Sequence, residues 1–83
     1  MHDDELDFRI KEIHVGAGSP VDGVTIEELD LRTRTGALLL AVRRPGQSFE
    51  PNPPGDLVVP SGSVLIVLGT QAELDATTRL GSS

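Results

Sequence analysis

The sequence predicts an α+β fold: a small mixed β-sheet sandwich whose elements follow the order β-α-β-β-β-α. Three observations carry this expectation. Thr25-x-x-Glu28 and Thr70-x-x-Glu73 repeat one capping signal, each ahead of a helical run. Two unbroken apolar runs, residues 37–42 and 64–68, have the length and flanking glycines of buried strands. Residues 8–15, FRIKEIHV, alternate in the manner of a half-buried strand.

In chain order, residues 1–7 are acidic and polar and read as a disordered terminus or an appended remnant. In the alternating strand, Phe8 and Ile10 are expected to point inward, joined by Ile13 and Val15 if an irregularity intervenes near Glu12. Gly16-Ala17-Gly18-Ser19-Pro20 follows a strand as a dinucleotide-binding turn would. Val21 stands where the third glycine belongs and Pro20 occupies the phosphate-facing turn, so the segment reads as a plain loop.

The first helix begins at Ile26. Thr25 and Glu28 form a capping box, and Val24 and Leu29 have the spacing of a hydrophobic staple. It is expected to run unbroken to Gly36, with Arg32 and Arg34 complementing the dipole in its last turn. Leucine and alanine favour helix intrinsically, so the strand assignment for 37–42 rests on the preceding glycine, the shortness of the run and the Pro45-Gly46 stop; its lack of alternation predicts cover on both faces. Ser48-Phe49-Glu50 is expected to return beside it as a hairpin. The proline-rich segment 51–56 is barred from a central strand because three of its residues lack a backbone donor. Residues 57–59 form a brief extended piece, and 63–69 a buried strand. A last helix runs from the second capping box to about Leu80, and 81–83 form a disordered tail.

Composition narrows the function. An 83-residue chain is one domain; at that size only roughly 60% of the unfolded surface is buried, so pairing with a second copy is expected to add stability. Thirteen acids against seven bases, a formal charge of -6, disfavour a nucleic-acid polymer as partner. Arg32, Arg34, Arg43 and Arg44 nevertheless cluster in sequence, as a small-anion site or as an ordinary solvated face. With no cysteine the chain has no disulfide or thiol chemistry. No apolar run exceeds about six residues, far short of the roughly 20 that span a bilayer, and the acidic start lacks a signal peptide's pattern. Direct membrane insertion is not expected.

No enzymatic constellation emerges. No serine lies in a nucleophile-elbow sequence. Glu27, Glu28 and Asp30 complement a helix start. His2 and His14 are far apart, without acids at ligand spacing, so no metal site is expected. The one constellation with binding chemistry is Asp30 with Arg32, next to the apolar strand. An acid-held guanidinium presents a donor fork suited to phosphate, and apolar neighbours can flank a flat ring; the alternative is a structural ion pair that pins the helix end.

Several segments together resemble the C-terminal subdomain of regulator-of-potassium-conductance proteins, the TrkA-C or RCK_C domain. They are Gly18-Ser19-Pro20 before Gly23, Glu28-Leu29-Asp30-Leu31-Arg32, Gly36 ahead of the apolar strand, Arg43-Arg44 at its end, Asn52-Pro53, Gly62, and Val67-Leu68-Gly69-Thr70. The resemblance covers residues 8–80. It implies a cytoplasmic regulatory domain at the inner face of the membrane, part of a potassium channel, potassium uptake system or cation/proton antiporter. It implies a homodimer, a membrane-embedded transport partner in the same or a neighbouring chain, and no catalytic cofactor. In some members the regulatory ligand is cyclic di-AMP, held between two copies. By that resemblance Asp30 and Arg32 match the acid-x-arginine pair, Ile26 a helix apolar position, and Pro53 or Pro54 the downstream proline. Glu27 replaces a second aliphatic, Leu38 stands where an asparagine would be expected, and Leu39 adjoins it. The alternative is a dimerisation or assembly module of a cation transport protein that binds nothing small.

Overall fold

A computed structural model describes residues 7–82. Among them the elements are β1 (Arg9–His14), β2 (Val24–Thr25), α1 (Ile26–Leu29), α2 (Leu31–Thr35), β3 (Leu38–Arg43), β4 (Glu50–Pro51), β5 (Val58–Val59), β6 (Val64–Gly69) and α3 (Gln71–Ser82). The predicted α+β architecture is present, with two short strands added to the expected order. The main sheet is four-stranded, in the order β1-β6-β3-β4, and a two-stranded ribbon joins β2 to β5. Every pairing is antiparallel. β1 and β3 run in the same direction but never pair, because β6 lies between them.

The core follows from the register. Ile13 of β1, Leu65 of β6 and Val42 of β3 form one cross-strand row and are 2%, 0% and 1% exposed. Together with Leu29, Leu31, Val67 and Leu74 they build a single apolar cluster, each such side chain stabilising by about 1.5–3 kcal/mol relative to exposure. Val67 pairs with Leu39, yet Leu39 and Val42 are three residues apart and would face opposite sides of a regular strand. A bulge between Leu39 and Ala41 inserts Leu40 and brings both to the core face. That bulge explains why the run 37–42 shows no alternation.

The other face of the sheet is open, which differs from the expected cover on both sides of β3. The row Ile10, Leu68, Leu38 lies there, with Ile10 65% and Leu38 48% exposed. Phe8 and Ile10 therefore point outward rather than inward. The irregularity expected near Glu12 does not occur: β1 pairs with β6 without interruption from Arg9 to His14, and strict two-residue alternation then gives the core to Ile13 and leaves Ile10 outside.

Asp30 breaks the predicted single helix. It adopts a left-handed conformation, φ 45° and ψ 52°, between α1 and α2. Leu29 and Leu31 supply the reason: in one continuous helix, at about 100° per residue, they would point roughly 200° apart. Both are buried in the core, and a left-handed residue between them resets the direction. Aspartate is among the few residues that tolerate this conformation.

The capping boxes form as expected. Thr25 Oγ1 accepts from the Glu28 N–H at 3.0 Å, and Glu28 Oε1 accepts from the Thr25 N–H at 3.0 Å. At α3, Glu73 Oε1 accepts from the Thr70 N–H at 2.8 Å and Thr70 Oγ1 from the Glu73 N–H at 3.3 Å. The hairpin also forms, but its return strand β4 is Glu50–Pro51 rather than Ser48-Phe49-Glu50, and it lies at the sheet edge where Pro51 is tolerated. α3 extends past the expected Leu80 end to Ser82: Gly81 is buried, and its carbonyl accepts from the Gly16 N–H at 2.7 Å. The rest of the two expected disordered ends, residues 1–6 and Ser83, lies outside the described residues.

Candidate functional site

The β2–β5 ribbon positions the start of α1. The Gly23 N–H donates to the Val59 carbonyl at 2.7 Å, the Ile26 N–H to Leu57 at 2.9 Å and the Glu27 N–H to Gly55 at 2.8 Å. The last two are donors that a helix start leaves without intrahelical partners. The backbone of residues 55–57, rather than solvent, therefore holds the first turn, and this draws the proline-rich loop against the helix. Pro53 is half-buried and Pro54 exposed; the Leu57 N–H closes the loop onto the Pro54 carbonyl at 3.1 Å.

The residues singled out in the sequence thus fall into two groups joined by Asp30. Ile26 and Glu27 lie beside the loop that carries Pro53 and Pro54, with Ile26 packed against the core and Glu27 exposed. Arg32 and Leu38 meet in a separate surface groove of about 280 Å³, whose other walls are Phe8, Gly36, Leu68 and Glu73. Leu39 faces away from Leu38 and packs against the core. Asp30 and Arg32 are both exposed, and among the described residues no ion pair links them.

The arginine cluster seen in sequence is also divided. Arg32 and Arg34 lie in α2 before β3, whereas Arg43 and Arg44 lie at the far end of β3. There Arg43 stacks over the Phe49 ring at 5.1 Å and Arg44 pairs with Glu50 at 3.6 Å. Those contacts brace the hairpin, whereas Arg32, at the α2 end of the strand, lines a groove with apolar residues.

Sequence reading missed Phe8, Leu68 and Glu73 as groove residues. Leu68 was identifiable in principle, since it is the cross-strand neighbour of Leu38, but only once the register was known. Glu73 was masked by its evident capping role.

Among the described residues no helix is long and apolar enough to cross a membrane, and no cluster of three or more histidine, cysteine or acidic residues could hold a metal ion.

Solved structures share this architecture. The RCK_C domain dimer of S. agalactiae BusR in complex with c-di-AMP superposes with a TM-score of 0.76 at 26% identity, over 86% of this chain and 93% of that one. The RCK C domain of the potassium transport protein KtrA, also in complex with c-di-AMP, gives a TM-score of 0.77 at 24% identity, over 89% of this chain and 84% of that one; at that identity the likeness is one of fold. The GsuK channel matches all of this chain at 31% identity and a TM-score of 0.77, and the chain spans 15% of that channel's length. No curated protein matches the sequence. The profile of the TrkA-C domain, a regulatory rather than an enzymatic family, matches residues 10–80; the chain belongs to the TrkA-C domain family.

Proposed function

We propose that this chain is a ligand-sensing regulatory domain of a potassium channel, potassium uptake system or cation/proton antiporter. It works in the cytoplasm at the inner face of the membrane and binds cyclic di-AMP across a homodimer. The observation that carries the reading is the likeness to the BusR domain dimer in complex with c-di-AMP, at 26% identity over 93% of that chain. The groove chemistry supports it: Arg32 lines the groove together with Leu38, Leu68 and Phe8, and a guanidinium suits a phosphate while apolar side chains suit a flat ring. Ile26, Glu27, Pro53 and Pro54 supply a second set of contacts, with Asp30 between the two. Nucleic-acid polymers stay outside the proposal on the charge of -6.

The mechanism is a population shift. A ligand that touches both copies favours the relative orientation in which both sets of contacts are made, and it biases the transport partner by no more than its difference in affinity for the two orientations. Calorimetric titration of cyclic di-AMP into the isolated domain tests this. Saturable heat is expected; none, with a folded dimer confirmed, removes the ligand from the proposal.

A second reading is favoured by Glu27 and Leu38, the two departures from the family pattern, together with the open apolar sheet face: an assembly module that dimerises and binds nothing small. Arg32→Ala separates the two. A ligand site loses affinity with its melting temperature intact, whereas a purely structural arginine changes stability alone.

A further inference from the structure

We infer that Glu73 is the residue that selects the ligand in this groove, by accepting a hydrogen bond from an N–H donor on a planar, phosphate-bearing molecule. The inference rests on the ligand reading above and adds to it a residue outside the acid-x-arginine set.

The geometry divides the work of the Glu73 carboxylate. Oε1 accepts from the Thr70 N–H at 2.8 Å and completes the cap of α3. Oε2 extends towards Gly36, where a Cβ would lie only 2.6 Å from it. On the other side, a Cβ at Gly69 would meet Glu73 Oε1 at 2.9 Å and its Cβ at 3.1 Å. Gly36 has a positive φ of 84° and is required by its turn. Gly69 has no such need, standing at the end of β6 in ordinary strand conformation. Its missing side chain is explained by the space that the carboxylate occupies, the close approach that a glycine in a strand commonly marks. Two glycines thus hold an acid in the wall of the groove and leave one of its oxygens outside the cap.

Glu73 and Arg32 both line this groove, as does the Gly36 that Oε2 approaches. Among the described residues the two opposite charges form no ion pair with each other. Phe8, Leu38 and Leu68 line the same groove. A molecule that satisfies all three features has an anionic group for the guanidinium, a flat apolar body and an amine for the carboxylate. An adenine nucleotide combines them, with its exocyclic amine as the donor. The volume of about 280 Å³ lies near the lower end for ligand pockets, about 300 Å³, and suits one nucleotide per copy, half of a two-fold dinucleotide.

The test is a pair of titrations, with cyclic di-AMP and with its hypoxanthine analogue, in which a carbonyl replaces the amine. They are run on wild type, Arg32→Ala and Glu73→Gln, with melting temperatures recorded for each. Glutamine also serves at the third position of a capping box. Its oxygen takes the Thr70 N–H and leaves an amide donor facing the groove. The expected results are a wild type that prefers cyclic di-AMP by about tenfold or more, the scale of one charge-assisted hydrogen bond, and a Glu73→Gln variant that melts with wild type but has lost or reversed that preference. Equal affinity of wild type for the two ligands, or an unchanged preference in Glu73→Gln, overturns the role of Glu73 while leaving the ligand reading in place. Absence of cyclic di-AMP binding in wild type, or undiminished binding in Arg32→Ala, overturns the ligand reading itself and the present inference with it.

Discussion

Gly81 shows how much one missing side chain decides. A Cβ there would lie 2.9 Å from the His14 carbonyl oxygen and 3.0 Å from Ile13 Cγ2, and the first of these is backbone that cannot swing aside. Alanine in a helix gains up to about 1 kcal/mol over glycine, whereas forced overpacking costs about 1–3 kcal/mol. Overpacking therefore wins, and Gly81→Ala is expected to lower the melting temperature by several degrees, at about 4–8 °C per kcal/mol for a domain of this size. A variant that melts at or above wild type would show that the end of α3 is not clamped. Asp30 carries a similar constraint through its positive φ of 45°. Asp30→Gly is expected to melt at or above wild type and Asp30→Val well below it, because a β-branched residue is a steric outlier there. If Asp30→Gly keeps its fold and loses cyclic di-AMP, the carboxylate acts on the ligand rather than on the turn.

The elements differ in what holds them. α1 is a four-residue helix, too short to persist on propensity, and it stands because both ends are tied: the capping box and the carbonyls of Gly55 and Leu57 at its start, the left-handed Asp30 at its close. Thr25→Ala removes one of these ties and is expected to cost about 1 kcal/mol, read by thermal or denaturant unfolding. Since α1 and the proline loop share backbone hydrogen bonds, amide exchange should quicken in residues 55–57 as well as in the helix. Unchanged protection in the loop would show that the two are not coupled. α3 is longer and packs Leu74 and Thr77 inward; Thr77 Oγ1 donates to the Glu73 carbonyl at 2.8 Å and lies 3.2 Å from Thr35 Oγ1, a contact that links α3 to the end of α2.

For the molecule as a whole, the decisive feature is that one sheet face is covered and the other is not. An 83-residue domain buries only roughly 60% of its unfolded surface, and here the row Ile10, Leu68, Leu38 is left accessible. The proposed homodimer should therefore appear in light scattering as twice the monomer mass at micromolar concentration. Its melting temperature should rise with protein concentration, as mass action requires of any coupled association. A concentration-independent melting temperature with monomer mass would contradict both the ligand-sensing and the assembly readings.

Much was legible in the sequence by itself: the α+β order, both capping boxes, the glycine exit at Gly36, the hairpin at Pro45-Gly46, and β6 as the buried strand. These are local properties, set by side chains within a few residues of the backbone groups they satisfy. Asp30 with Arg32 was read beside the apolar strand, and of these Arg32 and Leu38 line one groove. Tertiary structure alone decided the rest. Whether β1 carried a bulge depended on its partner β6, and that choice turned Phe8 and Ile10 outward. Whether one helix or two filled residues 26–35 depended on a core that had to receive both Leu29 and Leu31. Glu73 met Arg32 across a groove because α2 and α3 flank the same end of the sheet. Register, bulge and packing are relations between distant segments, and local chemistry does not encode them residue by residue.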